Sequence, residues 1–321
     1  MQAFGVSPEG QTVHRFELTG GGLSACILTW GGVLQDLRLE GLPYSLVLNF
    51  PDLAGYLNSQ AYIGGNVGRF ANRIAQGRAQ IAGHTYQLDR NFLGKHLLHG
   101  GSLGADRQVW TVVAYTTNTL SLQLILADGE MGFPGELTVT LHYRLLPSAC
   151  LEVEFLATTT APTLCNFAHH SYFNLDGTGS IQNHRLQIQA EHYLPVDAEA
   201  IPTGEIAAVD GTAFDFRELK PINWQRAAYD HNFCTAQAPQ ALRPIALLQG
   251  EKGVSMRLAS TEPGLQCYDG RYLEGGHAAY AGLALEPQVW PDAPNHAHFP
   301  SAELWPGQVY QQVTRYYFSR P

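Results

Sequence analysis

Four short stretches of the chain concentrate side chains able to move protons or grip hydroxyl groups. The densest is Asn166-Phe167-Ala168-His169-His170-Ser171-Tyr172-Phe173-Asn174-Leu175, where two imidazoles stand side by side in an apolar setting. Adjacent side chains on a strand point to opposite faces, so one of the two histidines can line a given pocket while the other packs or meets solvent. The stretch Gly64-Gly65-Asn66-Val67-Gly68-Arg69-Phe70-Ala71-Asn72-Arg73-Ile74 sets the amide of Asn72 beside the guanidinium of Arg73. Its glycines permit close backbone approach, and the Asn-Arg pair offers the fixed donors that recognise a polyol. The glycine order is not GxGxxG and no strand-to-helix context surrounds it, which excludes a dinucleotide loop. Leu97-Leu98-His99-Gly100-Gly101 adds a further imidazole, and Leu283-Ala284-Leu285-Glu286-Pro287-Gln288-Val289-Trp290-Pro291-Asp292 places one carboxylate between an apolar strand and an aromatic turn. Each has a bland reading on its own: a histidine that packs, a loop histidine satisfied locally, an acid that caps or pairs. An imidazole and a carboxylate brought to one pocket are a general acid and a general base.

The elements that must carry these groups are strands. From Leu137 to Leu145 apolar and polar residues alternate without exception, the pattern of a half-buried strand. The same period recurs at Leu120–Leu124, Leu151–Phe155, Leu186–Ile188, Val254–Leu258 and Val309–Val313. Turn signals fall between the runs, as in Ala82-Gly83 within a hairpin and Phe133-Pro134-Gly135. Helical periodicity is confined to Asp52–Leu57 and Trp224–Tyr229, too short for the crossovers of a parallel sheet. The expected fold is all-β and antiparallel, residues 1–321 forming one large sandwich domain whose open face holds the site. Trp30, Trp110 and Trp305 are expected in its core.

The chain has 321 residues, 45% of them hydrophobic and only 15% charged, enough to build a large core. A net charge of -9 with 19 Lys and Arg lacks the basic face that nucleic acid requires and suits a neutral small-molecule substrate. The five cysteines are scattered and free of CxxC spacing, as expected of reduced thiols in a cytoplasmic protein. No apolar run approaches the ~20 residues of a membrane span, so no membrane partner is expected. Thirteen histidines, His296-Ala297-His298 among them, show no HExxH or other metal-ligand spacing, and no metal is expected.

Taken in order along the chain, the four stretches resemble the galactose mutarotase, or aldose 1-epimerase, family. So do Asp128-Gly129-Glu130-Met131-Gly132-Phe133-Pro134-Gly135, Tyr193-Leu194-Pro195-Val196-Asp197, Ile201-Pro202-Thr203-Gly204-Glu205, Phe214-Asp215 and Asp230-His231-Asn232-Phe233. The resemblance implies a β-supersandwich, a free aldose such as galactose or glucose as substrate, and no cofactor; the chain is expected to act as a monomer or homodimer. It casts Glu286 as catalytic base, His170 as catalytic acid, and Asn72, Arg73, His99 and Asp230 as substrate-binding residues. The chemistry is consistent: opening a cyclic hemiacetal removes the anomeric hydroxyl proton and protonates the ring oxygen. A carboxylate with an ordinary pKa of about 4.3 can accept at neutral pH, and an imidazole near about 6.5 can donate.

The chain departs from the family pattern at His169, where Asn is common, at Pro287, where Thr is frequent, and at Tyr268-Asp269-Gly270-Arg271-Tyr272, in place of Tyr-Thr-Gly-Asn. Two other functions fit the same scaffold: a non-catalytic sugar sensor, which would lack the acid-base pair, and a sugar-phosphate epimerase, which would gather Arg or Lys at the site.

Overall fold

The computed structural model describes all of residues 1–321. The strict alternation folds as the strand Leu137–Leu146, its odd-numbered residues buried and its even-numbered ones half-buried. It sits in a nine-stranded sheet, ordered Thr111–Tyr115, Thr119–Leu126, Leu137–Leu146, Cys150–Thr159, Tyr310–Ser319, Ser255–Ser260, Arg243–Gln249, Arg185–Ile188 and Lys220–Pro221. The last long strand of the chain therefore lies in the middle of this sheet, zipped between Cys150–Thr159 and Ser255–Ser260. A six-stranded sheet runs Tyr172–Phe173, Leu283–Gln288, Gly264–Tyr268, Asp230–Cys234, His192–Tyr193, Ala207–Ala208, and a four-stranded sheet covers Gln2–Leu39. Neighbouring strands in all three sheets are antiparallel, as expected from the shortage of crossover helices.

A cluster of 51 buried apolar residues packs the nine-stranded sheet against the six- and four-stranded sheets. Tyr143, Phe155, Tyr316 and Phe318 enter from one side and Phe233, Leu265, Cys267, Leu283 and Leu285 from the other. Because strand side chains alternate, burying Leu283 and Leu285 in this core turns Ala284, Glu286 and Gln288 to the opposite face. Period-two geometry alone thus lifts Glu286 out of the main core.

Local expectations mostly hold. Ala82 and Gly83, both with positive φ, close the Arg78–Ile81/His84–Gln87 hairpin, the conformation that a two-residue turn between right-twisted strands requires. Asp52 caps the helix Leu53–Asn58, its carboxylate accepting the Gly55 N–H at 3.0 Å. Two expectations fail. Trp224–Tyr229 is not a helix: Asn223 turns the chain by accepting the Gln225 N–H, and Trp224 stacks on Tyr280 with ring centroids 4.6 Å apart. Trp305 is 43% exposed, held at the surface by its indole N–H donating to Glu303, whereas Trp30 and Trp110 are buried. All five cysteines are buried and unbridged. No helix is long and apolar enough to cross a membrane.

Two buried charges away from the site have structural roles. Arg69 is spent on the carbonyls of Leu126, Ala127, Pro134 and Gly135, which fixes the turn before the alternating strand. Glu262 is fully buried, and burial pushes its carboxyl up to about 8 against the pull of Thr261 and Arg243. A raised carboxyl keeps in the folded state a proton that the unfolded chain gives up above its ordinary value, so stability falls as pH rises from about 4.5 to about 8. Glu262→Gln is therefore expected to stabilise the fold at pH 8 by on the order of 1–3 kcal/mol and to change nothing at pH 4.5. Denaturant midpoints at the two pH values check this; an equal gain at both would mean that titration is not its source.

Candidate active site

The two adjacent histidines part as strand geometry requires. His169, on the short strand Ala168–His169 paired with Asn66–Val67, points inward. Its Nδ1 lies 3.1 Å from Asn66 Oδ1 and its Nε2 2.8 Å from Ser171 Oγ, while Asn66 in turn donates to Gly32 O and Tyr143 Oη. Burial holds its imidazole down to about 3, so it stays neutral and structural. His170 faces the other way. Its backbone is clamped to the glycine-rich segment, Gly64 N–H donating to His170 O at 3.0 Å and His170 N–H to Gly65 O at 2.8 Å.

Glu286 arrives from the strand next to the edge of the six-stranded sheet, directly opposite Gln266, which is opposite Asn232. Its Oε1 lies 3.5 Å from Nε2 of His170, and both residues are buried. Oε2 of Glu286 and Nδ1 of His170 have no partner within the protein. Pro287, one of the departures from the family pattern, is accommodated because the flanking strand Tyr172–Phe173 pairs only with Ala284 and Leu283, leaving that side of Pro287 without a ladder to break.

Asn72, Arg73 and His99 come from two segments that lock reciprocally. Arg73 and Ile74 pair with Leu98 and Leu97, the His99 N–H donates to Asn72 O at 3.0 Å, and the Asn72 N–H donates to Nδ1 of His99 at 3.1 Å. Asn72 and His99 both sit at positive φ, a strained backbone that such cross-bonding sustains. Gly100 follows in the same left-handed region, and a Cβ there would overlap the carbonyl oxygen of Gly68. Arg73 donates to Asp230 Oδ2 at 3.2 Å and lies over the ring of Phe92, 4.8 Å from its centroid. Asp230 also accepts from Gln266 Nε2 at 2.6 Å. All six residues singled out from the sequence are thereby brought to one site on the face of the six-stranded sheet turned away from the main core, Glu286, His170, His99 and Asn72 buried and Arg73 and Asp230 half-buried.

Sequence reasoning missed Gln266, whose Oε1 is buried without a partner beside Glu286. The available signal was a polar residue inside the apolar run Gly264–Tyr268. Asp269, another departure, proves to be a brace: it accepts the N–H groups of Tyr229 at 3.2 Å and Arg271 at 3.1 Å, fixing the start of the Asp230 strand.

The electrostatics differ from the ordinary values assumed for the two groups. Burial lowers His170 to about 4, the charge of Asp230 pulling the other way. Burial raises Glu286 well above the usual carboxylate value, with Asp230 adding to the rise and Arg73 opposing it. His99 is held well below its ordinary value by burial and by the charges of His170 and Arg73. Burial of the two side chains disfavours charge of either sign, so the sugar-free site favours a protonated Glu286 facing a neutral His170. Ionised carboxylate plus imidazolium contains the same number of protons; only the position of one proton differs.

His99, His170 and Glu286 offer ligand atoms within 4.8 Å of one another, close enough to surround a divalent ion. The tautomer of His99 opposes that reading. The Asn72 N–H occupies its Nδ1 lone pair, which puts the ring proton on Nε2, where a metal would need a lone pair. His99 is instead built to donate a hydrogen bond.

The sequence profile of the family described as aldose 1-epimerase matches residues 14–317. A galactose mutarotase from Mus musculus is 39% identical, the alignment covering 98% of this chain and 97% of that protein. An aldose 1-epimerase from Escherichia coli is 34% identical over the same shares. Among solved structures, a GalM/aldose epimerase homologue from C. elegans superposes with a TM-score of 0.89 at 30% identity, covering 96% of this chain and 99% of that one. A galactose 1-epimerase from Lactobacillus acidophilus gives 0.87 at 26% identity, covering 99% and 97%.

Proposed function

This chain belongs to the aldose 1-epimerase family, and on that premise we propose that it interconverts the α and β anomers of a free aldose, with Glu286 as base and His170 as acid. The observation that carries the reading is the pairing of a buried carboxylate and a buried imidazole 3.5 Å apart, flanked by the array of Arg73, Asp230 and Gln266. The unpartnered polar atoms of Glu286, His170, Arg73 and Gln266 are the kind that sugar hydroxyls satisfy, since a buried polar group left unpaired costs about 1–3 kcal/mol.

The sugar lies with its anomeric hydroxyl at Glu286 and its ring oxygen at His170. Glu286 takes the hydroxyl proton as the C1–O5 bond breaks, and the electron pair leaving with O5 takes the proton of His170. Opening the ring thus converts the ion pair into the neutral pair that burial favours, while the substrate becomes an open-chain hydroxy-aldehyde. Rotation about C1–C2 presents the other carbonyl face, and closure returns both protons with the roles exchanged. Arg73 steadies the anionic form of Glu286, and the charge of Asp230 steadies the cationic form of His170. Nε2–H of His99 and the guanidinium of Arg73 supply donors to oxygens that gain charge, worth about 2.7–4 kcal/mol each in comparable sites. The steps balance in protons and electrons.

Two arginines that a phosphate would need are engaged elsewhere: Arg69 is committed to backbone carbonyls, and Arg271 leans on Asp269 and Tyr280. That favours a free sugar over a sugar phosphate. Polarimetry on freshly dissolved α-D-glucose and α-D-galactose tests the proposal; no acceleration over buffer with any common aldose would end it. Comparing glucose with glucose 6-phosphate separates the two substrate classes.

One pH prediction follows from the shared proton. Activity needs exactly one proton on the Glu286–His170 pair. A second arrives as pH falls through the lowered value of His170, about 4, and the last leaves as pH rises through the raised value of Glu286. The profile of kcat/KM, which reports the free enzyme, is expected to be a broad bell with its acid limb near pH 4 rather than near 6.5. An acid limb at 6 to 7 would show that His170 titrates as an ordinary imidazole.

A further inference from the structure

Tyr62 takes no part in the proton transfers above, yet it touches both imidazoles that do. Its ring centroid is 4.5 Å from that of His99 and 5.7 Å from that of His170. Tyr172 flanks His170 as well, at 5.0 Å, so that the acid imidazole is bordered by two aromatic rings. Tyr62 is held in place at a cost: its φ is +55°, left-handed and unusual for a bulky residue. The surrounding backbone fixes that conformation, Tyr62 O accepting from Gly65 N–H at 3.0 Å in the same segment whose Gly64 and Gly65 bond to the backbone of His170. The tyrosine and the acid histidine are therefore parts of one clamped unit.

Beyond the ring lies a separate cleft. Trp30, Tyr56, Ser59, Asp106 and Arg107 line it together with Tyr62. It contains polar groups, including Oδ1 of Asp106, buried with no partner in the protein. Tyr62 is thus a partition, with the catalytic imidazoles on one side and a polar cleft on the other. We propose that Tyr62 is a positioning residue of the acid-base site, whose ring sets the tilt of His170 and His99 and keeps solvent in the neighbouring cleft from reaching them. The inference rests on the mutarotase reading for its kinetic consequences only.

The charged and titratable groups that face His170 are Glu286 from the strand Leu283–Gln288, His99 from the Leu97–Gly101 turn, Asp230 across the sheet, and the two tyrosines. Removing the Tyr62 ring changes none of those charges, so a change in the titration of His170 reports water gained.

The test compares Tyr62→Phe and Tyr62→Ala with the parent chain. Two measurements are made on each: mutarotation rates from polarimetry across pH, and the titration of the His170 imidazole by NMR in the sugar-free protein. Tyr62→Phe is expected to keep kcat within about 3-fold and to leave the titration unmoved. Tyr62→Ala is expected to lower kcat by about 10- to 100-fold, the size of loss that small misplacements of reacting groups produce. Its KM should stay within about 3-fold, because Arg73, Asp230 and Gln266 keep their contacts with the sugar. In the same variant the His170 titration should move up by about one unit or more, toward its ordinary value as solvation returns. A Tyr62→Ala protein with the parent's kcat and titration overturns the proposal, and so does a Tyr62→Phe protein as impaired as Tyr62→Ala, which would assign the effect to the hydroxyl. Should Tyr62→Ala fail to fold, Tyr62→Leu takes its place with the same readings. If the parent chain shows no mutarotation, the functional reading has failed, and the NMR titration still decides the role of Tyr62.

Discussion

Replacing Glu286 with Gln is expected to lower kcat for anomer exchange by about 10²- to 10⁴-fold, the typical share of a general base. The substitution is nearly isosteric and keeps a carbonyl oxygen to accept a hydrogen bond from the anomeric hydroxyl, so KM should change little. What is lost is the ability to hold the proton once it has moved. The variant should also be no less stable than the parent. Burial raises the Glu286 carboxyl, so in the folded chain it holds its proton past the pH at which the unfolded chain releases it, at a cost that grows with pH; an amide removes that cost. Loss of activity together with unchanged or improved stability would separate a catalytic role from a structural one. Polarimetry and a denaturant melt on the same sample make the comparison, and a rate within about 5-fold of the parent would remove Glu286 from the mechanism.

Replacing His170 with Ala is expected to cost a similar factor, about 10²- to 10⁴-fold in kcat. His99 remains 5.3 Å away by ring centroid, but its Nδ1 is occupied by the Asn72 N–H and it cannot swing over without breaking that bond. It can therefore donate a hydrogen bond to the ring oxygen but cannot take His170's place. The decisive comparison is the double variant Glu286→Gln/His170→Ala. The two groups exchange one proton through the substrate and act as a unit, so losing both should be little worse than losing the more important one. Fully multiplicative losses would mean that they act independently and would contradict the shared-proton mechanism. The His170→Ala variant should also lose the acid limb of the pH profile near 4, since the group that takes up the second proton is gone.

Much of this was legible in the order of residues. Alternation from Leu137 to Leu145 could be nothing but a strand, because only a period of two buries every apolar side chain of that run on one face. Parity decided more than the strand itself. Two neighbouring histidines had to diverge, and a glutamate at 286 had to face away from Leu283 and Leu285. Chemical type marked the polar stretches, and the resemblance to the aldose 1-epimerase family assigned the acid, base and sugar-binding roles within them. Even so, the helix expected at Trp224–Tyr229 failed because a local Asx turn and the stacking of Trp224 on Tyr280 outcompete so short a helical run.

Only the tertiary structure decided which groups meet and what charge they carry there. Gln266 is unremarkable in the sequence and becomes part of the site because antiparallel register sets it opposite Glu286, while Tyr62 borders both imidazoles through a clamp of backbone bonds that no spacing reveals. The pKa values moved most, since side-chain type fixes only the value in water. Folding replaced that water with packed protein around Glu286 and His170 and drove both toward neutrality. A linear sequence specifies residue identity and face, whereas proximity and dielectric surroundings depend on distant segments packing together, here residues 62–73, 97–101, 170, 230, 266 and 286.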